Sequence, residues 1–382
     1  MEYREAGLFD AVHLTLLIGP LAVPLPAPLP VTEALQRVEI NSSRDRSGFQ
    51  ITFGMGKTSP LQFALLPAGF FDPMITRVVM IVTVKGIPTV VMDGVITRQE
   101  MQPGNEPGKS TLTVTGEDLS ILMDVVELRI PYPAMPEVAR INLILAKYAM
   151  FGITPIVVPP PIVNVDSPTS RFDTQDGTDR SYIKGLASES GYVFYVEPGP
   201  LPLQSIAYFG PDVRVPIPQP ALSVNSDADT NVESLNFSLD GLAKKQVIMF
   251  VYDPITKKIP IAVPIPDINP LHPPLGLRPT APAKVTFAGE TTRLTPTEAA
   301  KRAFGFMLQS ADAVSGSGSL NVASYGSVLR ARMLVGVRGA GITYDGMYYV
   351  DSVTHSIKRG EYKQNFQLSR DGLISQTPVV MP

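Results

Sequence analysis

The sequence predicts a mainly β protein with α+β parts, in which two related β-barrels are joined by a small α/β domain. Three observations favour this class. Apolar and polar residues alternate near both ends of the chain, a period typical of half-buried strands. Two short helical patterns lie between these regions, and landmarks of the first β region recur in the last at an almost constant spacing.

At 382 residues the chain is longer than the roughly 100 to 200 residues of one domain. Changes in periodicity and proline content divide it into five segments. We expect a Pro-rich N-terminal arm at 1–32, a first barrel at 33–125, a small α/β domain at 126–200, a Pro-rich connecting region with strands at 201–295, and a second barrel with a leading helix at 296–382.

The N-terminal arm contains an apolar stretch, 12–31, that has the length of a membrane span. Five prolines interrupt it, and they would break a helix and leave backbone carbonyls unpaired in lipid. The first ten residues carry three acidic side chains and one arginine, unlike the positive start of a signal peptide. We therefore predict an extended, polyproline-like arm that lies against protein, and no membrane span.

Strand patterns predict both barrels. In the first, apolar residues alternate over 38–53, and β-branched runs follow at 78–84 and 89–96. In the second, a capping box at 295–298 with proline at the first helical position indicates a helix. Strand-like alternation then follows over 329–368. Each barrel is therefore expected to consist chiefly of strands.

The α/β domain between them is predicted from two helical patterns. One begins after Pro136 and closes at Gly152, with an apolar stripe along a single face. The second follows Thr178 or Asp179, stops at Gly191 and leads into a strand.

The two β regions resemble each other in sequence. The near-constant offset of their landmarks favours an internal duplication, although Asp-Gly turns also recur by chance in unrelated β proteins. The landmark pairs, 252 or 253 residues apart, are 84–86 with 337–339, Asp93-Gly94 with Asp345-Gly346, and Gly108 with Gly360.

Composition and motifs disfavour several kinds of binding site. A net charge of −3 without a long basic run argues against nucleic acid as a partner, and the absence of cysteine excludes disulfides and thiolate metal sites. Residues 54–58 resemble part of a phosphate-binding loop, but Ile51 replaces its first glycine and no helix is indicated after it. His13, His272 and His355 lack the spacing of metal ligands. No cofactor is expected.

Catalytic residues are not indicated either. No serine lies in a Gly-x-Ser-x-Gly elbow, and His355 is interpreted as a hydrogen-bonding surface or interface residue. Paired carboxylates leave a hydrolase open, but each pair lies among Gly, Ser or Thr, as loop acids do. We therefore predict that the protein is not an enzyme. The carboxylate pairs are Glu117 with Asp118, Asp173 with Asp176, and Asp227 with Asp229.

Two stretches resemble the late control D family of phage tail proteins, which includes contractile-phage baseplate hubs and the hub-like half of type VI secretion spikes. In 179–195 an acidic residue opens a short helix that ends in Leu-Ala, and Gly-Tyr-x-Phe-Tyr begins the next strand. In 325–372 the sequence is similar to hub proteins of extracellular contractile injection systems. The structural motif residues are Asp179, Tyr182, Leu186, Gly191, Tyr192, Gly339, Asp345, Gly346, Tyr348, Val350, His355, Gly360, Phe366 and Arg370.

This resemblance implies two tail-tube-like barrels per chain and a homotrimer whose six barrels form a ring. The protein would be a structural baseplate hub, an adaptor between the sixfold tail tube and the threefold spike. Its partners would be a separate spike protein, tail tube proteins and baseplate wedge proteins, in a phage-tail-like particle assembled in the cytoplasm and then released or membrane-anchored. The alternatives are a tail-associated cell-wall hydrolase and a cell-surface binding module, the latter disfavoured by the absence of tryptophan.

Overall fold

The computed structural model describes residues 12–44, 46–56, 59–105, 109–162, 173–214, 218–225, 229–252, 260–266, 269, 272, 274–289, 296–309 and 312–376. This part of the chain is mainly β, as predicted. Its largest sheet has thirteen strands. The described strands of this sheet do not close on themselves, so closure into two barrels stays a prediction. Three residues used in the predictions, Gly108, Asp227 and Thr295, lie outside the described residues.

The first seven strands form the first β unit. They are β1 (His13–Pro20), β2 (Leu25–Pro26), β3 (Leu35–Ser43), β4 (Ser47–Met55), β5 (Thr76–Val84), β6 (Ile87–Gln102) and β7 (Ser110–Asp118). Helix α1 (Leu29–Ala34) precedes β3, and a π-helical turn (Leu61–Leu65) precedes β5. The strands pair in the order β3-β4-β7-β6-β5-β1-β2, and every pair is antiparallel.

The predicted N-terminal arm is part of this sheet. Strand β1 pairs with β5 along its whole length. The polyproline-like interpretation is wrong for these residues because Leu16 and Ile18 alternate into the core, where both are almost fully buried, while prolines begin only at the last residue of the strand. No helix in the described part of the chain is long and apolar enough to cross a membrane.

Residues 119–162 and 173–210 form the α/β domain, whose hydrophobic core also includes Val95 and Leu308. Its elements are a 3-10 turn (Leu119–Asp124), β8 (Glu127–Tyr132), α2 (Glu137–Ala146), a second 3-10 turn (Ala149–Phe151), β9 (Ile153–Val157), β10 (Asp173–Thr178), α3 (Asp179–Ser190), β11 (Val193–Pro198) and β12 (Ser205–Gly210). Strand β8 pairs with β10, and β9, β12 and β11 form a mixed sheet.

Both helices predicted in this domain are present. The Thr178 hydroxyl accepts a hydrogen bond from the Ser181 N–H and caps the start of α3. Gly191 ends α3 with a φ of 69°, the left-handed conformation that glycine adopts at low cost. Gly152 has a φ of 80° and closes the turn after α2.

The second β unit begins within the predicted connecting region. Its strands pair in the order β14-β19-β22-β21-β20-β13. Strands β15, β16 and β18 form a separate sheet that packs against α4, and β17 pairs with β23. The elements are β13 (Gln219–Ser223), β14 (Ser234–Leu239), β15 (Lys245–Tyr252), β16 (Pro260–Ile265), β17 (Gly276–Pro279), β18 (Lys284–Phe287), α4 (Pro296–Leu308), β19 (Val314–Asn321), α5 (Val322–Tyr325), β20 (Leu334–Arg338), β21 (Gly346–Lys358), β22 (Glu361–Arg370) and β23 (Gly372–Ser375).

The sequence suggests a turn at the Asp93-Gly94 landmark. In the structure this pair lies inside strand β6. Asp93 is 2% exposed and accepts two hydrogen bonds from Arg77, at 2.7 and 2.6 Å. Arg77 also donates to the carbonyls of Leu21 and Phe151. The aspartate therefore balances a buried arginine that ties the α/β domain to the first unit, a role that an isolated Asp-Gly pair does not reveal.

Candidate assembly site

The two β units have the same strand topology. Strands β5-β6-β7-β4-β3 of the first unit correspond in order to β20-β21-β22-β19-β14 of the second. Both units also have a β-bulge at the same place: β6 shifts register against β7 between Ile96 and Arg98, and β21 shifts against β22 between Val350 and Ser352. Since a bulge is a specific irregularity, this coincidence makes Ile96 the equivalent of Val350.

The two units are joined within the chain by strand pairing. Strand β21 pairs antiparallel with β3, from Ser352 opposite Ser43 to Lys358 opposite Arg37. Next to this seam, Arg332 donates hydrogen bonds to the carbonyl oxygens of Ser43, at 2.6 Å, and of Arg44, at 3.2 Å. The seam turns two units into one continuous sheet, and residues from both contribute to one hydrophobic core.

Among the strand edges that lack a partner in the described sheets, two belong to the equivalents of the seam strands β3 and β21. Strand β14 has only β19 as a neighbour. Strand β6 pairs with β5 up to Val95 and beyond that residue only with β7, so its last residues, 97–102, have one open side. An unpaired edge presents backbone donors and acceptors to any other strand, and folded proteins usually cover it. These two edges are the candidate assembly site.

Asp179, predicted as a motif residue, is the centre of a buried polar cluster. It is 2% exposed. Its carboxylate accepts hydrogen bonds from Gln175 Nε2 at 2.7 Å, the Tyr148 hydroxyl at 2.8 Å and Lys147 Nζ at 3.0 Å. Burial and this carboxylate raise the pKa of Tyr148, so its hydroxyl remains a donor. The three donors hold α3 against α2 and β10, which is a structural role.

The other motif residues of the α/β domain are also structural. The Tyr182 hydroxyl accepts a hydrogen bond from Arg140 at 2.7 Å, and Leu186 lies in the core. Tyr192 is buried and donates to the carbonyl of Pro159. A side chain at Gly191 would meet the backbone of Gly305, so this glycine lets α4 approach α3 closely.

Arg370 is fully buried and organises the loop before β21. Its guanidinium donates to the backbone carbonyls of Gly372 at 2.7 Å, Asp345 at 2.9 Å and Thr343 at 2.9 Å. It also lies over the ring of Tyr348, 4.4 Å from the centroid. The Asp345 carboxylate accepts from the Ala340 N–H in the same loop. These motif residues therefore hold the β20–β21 connection on the second unit.

The remaining motif residues lie in this unit as well. Gly339 and Gly346 have φ values of 85° and 120°, and Gly360 in the β21–β22 turn has a φ of 75°; these values suit glycine. Val350 and Phe366 face the core. Each of the five therefore serves the backbone or the packing of the unit.

His355, predicted to be a hydrogen-bonding surface or interface residue, is hydrogen-bonded but lies buried within the chain. It is 4% exposed, and its Nδ1 lies 2.7 Å from the Tyr362 hydroxyl and 3.3 Å from Gln364 Nε2. Burial, with a smaller effect of Arg330, lowers the pKa of His355 to about 4. A neutral, enclosed imidazole with tyrosine and glutamine partners belongs to a hydrogen-bonded core.

A polar cluster that the sequence did not indicate fastens the segment after β12 to the second unit. Arg214 makes a bidentate ion pair with Asp312, at 3.0 and 2.5 Å. Tyr349 donates to Asp212 at 2.8 Å, and Ser369 donates to Asp312 at 2.7 Å. The participants are too far apart in sequence for spacing to reveal them.

Three of the carboxylates noted as pairs in the sequence, Glu117, Asp118 and Asp173, are engaged in structural contacts, the last as the ion-pair partner of Arg140. Glu117 forms ion pairs with Arg46 and Arg180. Asp118 accepts hydrogen bonds from the N–H groups of Ser47 and Ser120, both at 2.9 Å. Within the described residues, no group of three or more His, Asp or Glu side chains could hold a metal ion.

Solved structures share this fold across most of the chain. A tail protein from Neisseria meningitidis matches with a TM-score of 0.62 at 13% identity, over 94% of this chain and 98% of that one. A 43 kDa tail protein of prophage MuSo2 from Shewanella oneidensis matches with a TM-score of 0.59 at 15% identity, over 95% and 100%. The E. coli c3393 protein, a component of the type VI secretion system, matches with a TM-score of 0.53 at 11% identity, over 91% and 77%.

No protein-family model and no curated protein matches the sequence. The structural neighbours nevertheless confirm, at the level of the fold, the resemblance to phage tail and type VI secretion proteins. At identities this low the likeness concerns the fold, and roles of individual residues have to be argued from this chain.

Proposed function

We propose that this chain, which has the fold of phage tail and type VI secretion proteins, is a structural baseplate hub of a contractile phage-tail-like particle. In this role it forms a homotrimer and joins a sixfold tail tube to a threefold spike. Its partners are a separate spike protein, tail tube proteins and baseplate wedge proteins, and it is made and assembled in the cytoplasm. It acts as a scaffold and not as an enzyme.

The observation that carries this proposal is the side-by-side duplication. One chain contains two units of equal topology, joined edge to edge by β21 and β3. Three such chains would present six similar units in a ring. A head-to-tail contact repeated around an axis closes a ring when its rotation fits. Such a ring has approximate sixfold symmetry in its units and true threefold symmetry in its chains, which is what an adaptor needs.

The two ends of the paired sheets differ, as an adaptor also requires. Strands β3 and β4 are joined by a short hairpin, whereas the equivalent strands β14 and β19 are separated by residues 240–313, which include α4 and a further sheet. The α/β domain leaves from the same end, because Asp118 at the end of β7 accepts from the Ser47 N–H of that hairpin.

Elements present once per chain appear three times per ring, so this end suits a threefold spike. At the opposite end β21 and β22 are joined by a tight turn at Arg359 and Gly360. Short connections leave the units exposed to a sixfold partner. We therefore propose that this second end meets the tail tube.

Contacts of the titratable groups support a scaffold role. Three of the side chains that a hydrolase could use, Asp179, Glu117 and His355, are engaged in cores or inter-element contacts. A general acid or base needs access to substrate.

Native mass spectrometry and cryo-EM of the assembled particle test the proposal. We expect three copies of the chain between the tube and a separate spike. A ring of six chains, a persistent monomer within the particle, or a position on the sheath, in the wedges or inside the tube would each contradict it.

A further inference from the structure

We propose that the open edge of β14 in one chain pairs antiparallel with residues 98–104 of the next chain, with Met101 opposite Phe237 and Arg98 opposite Asp240. This inference rests on the proposed homotrimer and names the contact that closes it. The occupant of both open edges is thus a second copy of this chain.

The seam within the chain provides the template. There β21, beyond its bulge, pairs with β3, and His355 lies opposite Ile40. The equivalent of β21 is β6, and the equivalent of β3 is β14. In the described structure each equivalent strand is open on the side that the seam occupies. Repeating the seam between chains therefore joins β6 of one chain to β14 of the next.

The shared bulge fixes the register on β6. Counting from the bulge, Arg98 corresponds to Ser352 and Met101 corresponds to His355. Both strands run straight on to the end of their unit from this point, without a further shift against β7 or β22. The position of each residue along the open edge is therefore defined.

Strand pairing across three strands fixes the register on β14. Phe237 lies opposite Gly316, which lies opposite Leu368 in β22. In the first unit Ile40 lies opposite Phe49, which lies opposite Gly116 in β7. Since Gly116 and Leu368 pair with the residues before the two bulges, Phe237 is the equivalent of Ile40.

Backbone hydrogen bonds extend this register by one residue beyond the paired strands. The Ser43 N–H donates to the Arg46 carbonyl at 3.0 Å at the end of β3. The Asp240 N–H donates to the Ala313 carbonyl at 2.9 Å at the end of β14. Asp240 is therefore the equivalent of Ser43, which lies opposite Ser352 in the seam, and this places Asp240 opposite Arg98.

The side chains at the open edges suit each other. Met101 is 44% exposed and Leu239 is 43% exposed, although they lie opposite the buried Leu112 and Val314 and so occupy the core-facing rows of their strands. Pairing would place Met101 over the half-buried ring of Phe237 and cover apolar surface on both chains. On the other face Arg98 would meet Asp240, so opposite charges lie across the contact.

Apolar side chains flank the pairing strands on both chains. Ile75, beside the start of β5, is 59% exposed, and Leu242, just after β14, is 55% exposed. In the seam this region holds Arg332, the equivalent of Met74 next to Ile75, and the hairpin carbonyls that accept its hydrogen bonds. Repeating the seam would bring Ile75 near Leu242 of the next chain. The contact beside the pairing strands is thus polar in the seam and would be apolar between chains.

Cysteine cross-linking tests the register, because the chain contains no cysteine. The test variant combines Glu100→Cys with Ser238→Cys, which the template places directly opposite each other in neighbouring chains. The matched positive control is Asn41→Cys with Thr354→Cys, the equivalent pair within the chain. The negative control is Glu100→Cys with Ser315→Cys, one strand further inward. Each variant is oxidised in the assembled particle and separated on a non-reducing gel.

We expect covalent dimers and trimers from the test variant, an intrachain bond from the positive control and monomers from the negative control. A trimer by native mass spectrometry that yields only monomers from the test variant overturns the register and leaves the proposed function standing. Cross-linking of the negative control in preference to the test variant also overturns it. A particle without any trimer overturns both proposals.

Charge reversal gives a second measurement. Arg98→Glu or Asp240→Lys alone should weaken chain association by about tenfold, since like charges then face each other. The double variant should recover most of this loss. If the double variant lost as much association as the two single variants together, the pairing of these two residues would be contradicted.

Discussion

Met74 and Arg332 have the same backbone conformation at equivalent places in the two β units. Their φ values are 67° and 65°. The Met74 N–H donates to the Ile96 carbonyl at 2.7 Å, and the Arg332 N–H donates to the Val350 carbonyl at 2.8 Å. The acceptors are the equivalent residues before the two bulges. The side chains differ because Arg332 faces a hairpin of its own chain, whereas Met74 lies beside an open edge.

Replacing Arg332 by the methionine of its equivalent should loosen the seam. The change removes two hydrogen bonds to the β3–β4 hairpin and the stacking of the guanidinium on Tyr195, 4.0 Å from the ring centroid. We expect a loss of about 2 to 3 kcal/mol in the free energy of unfolding, measured with urea. Arg129→Met, at an exposed position of β8 away from the seam and from both open edges, is the control and should change it by less than about 0.5 kcal/mol. Equal effects would contradict the seam contact.

His355 should make the protein less stable at acidic pH. Burial lowers the pKa of His355 to about 4, whereas an unfolded histidine has a pKa of about 6.5. The unfolded chain therefore binds the extra proton between these values. Its contribution to stability is present above about pH 6.5 and is lost as the pH falls toward 4, by up to roughly 3 kcal/mol.

Denaturant unfolding of wild type and His355→Gln from pH 4 to 8 measures this contribution as a difference, so that other titrating groups cancel. The stability advantage of the wild type over the variant should shrink as the pH falls. His13→Gln, at an exposed strand position, should follow the wild-type profile. A pH-independent difference between wild type and His355→Gln would count against a buried neutral imidazole.

Asp351 should give the stability of the protein the opposite dependence on pH. Burial raises the pKa of Asp351 to about 6, and the nearby Asp312 adds to this, while a hydrogen bond from Ser369 opposes it. A raised pKa means that the protonated carboxyl is favoured in the folded state. The stability it contributes is present below about pH 4 and is lost as the pH rises through 6. The equivalent bulge residue in the first unit, Thr97, is neutral.

Asp351→Asn should therefore stabilise the protein at pH 8, by about 1 to 2 kcal/mol, and change little at pH 4. Asp312→Asn is a matched control that should destabilise the protein, because it removes the carboxylate that forms the bidentate ion pair with the buried Arg214. That variant should lose about 3 kcal/mol near neutral pH. Thermal unfolding at both pH values gives the comparison, and a destabilised Asp351→Asn at pH 8 would disprove the prediction.

Features with local causes could be predicted from the sequence. Helix α3 has its cap at Thr178 and its glycine stop at Gly191, and both signals lie within the segment they define. Strands of both units alternate in polarity because one face is buried. The duplication was predicted from landmarks that do not align: the shared bulge pairs Ile96 with Val350, 254 residues apart, so Asp93 corresponds to Met347 and not to Asp345.

Features that depend on partners distant in sequence could not be predicted. Asp93 looks like a turn residue until Arg77 is seen beside it in the core. His355 looks like a surface residue because its partners, Tyr362 and Gln364, form its environment only when β21 and β22 pair. The seam between β3 and β21 joins strands from the two ends of the chain, and no local pattern specifies which edges meet.

Glycine is required at Gly360 because of its backbone conformation alone, and at Gly346 because of both its conformation and the lack of space for a side chain. Gly360 has a φ of 75° with open space where a Cβ would lie, so a side chain there meets only backbone strain. Gly346 has a φ of 120°, and a Cβ would lie 2.3 Å from the Ser375 Cβ and 3.2 Å from Arg370 Nη1. Gly360→Ala should therefore cost about 1 kcal/mol, and Gly360→Asn less, because asparagine tolerates the left-handed conformation.

Gly346→Ala should cost at least about 3 kcal/mol, because strain adds to displacement of β23 and of the buried Arg370 side chain. Combining it with Ser375→Gly removes the closest atom, so part of the loss should return while the strain remains. The same second change should not help Gly360→Ala, which lies at the other end of β21. Chemical denaturation of these five variants decides the matter: equal costs at the two glycines, or no rescue by Ser375→Gly, would show that crowding at Gly346 is not the cause.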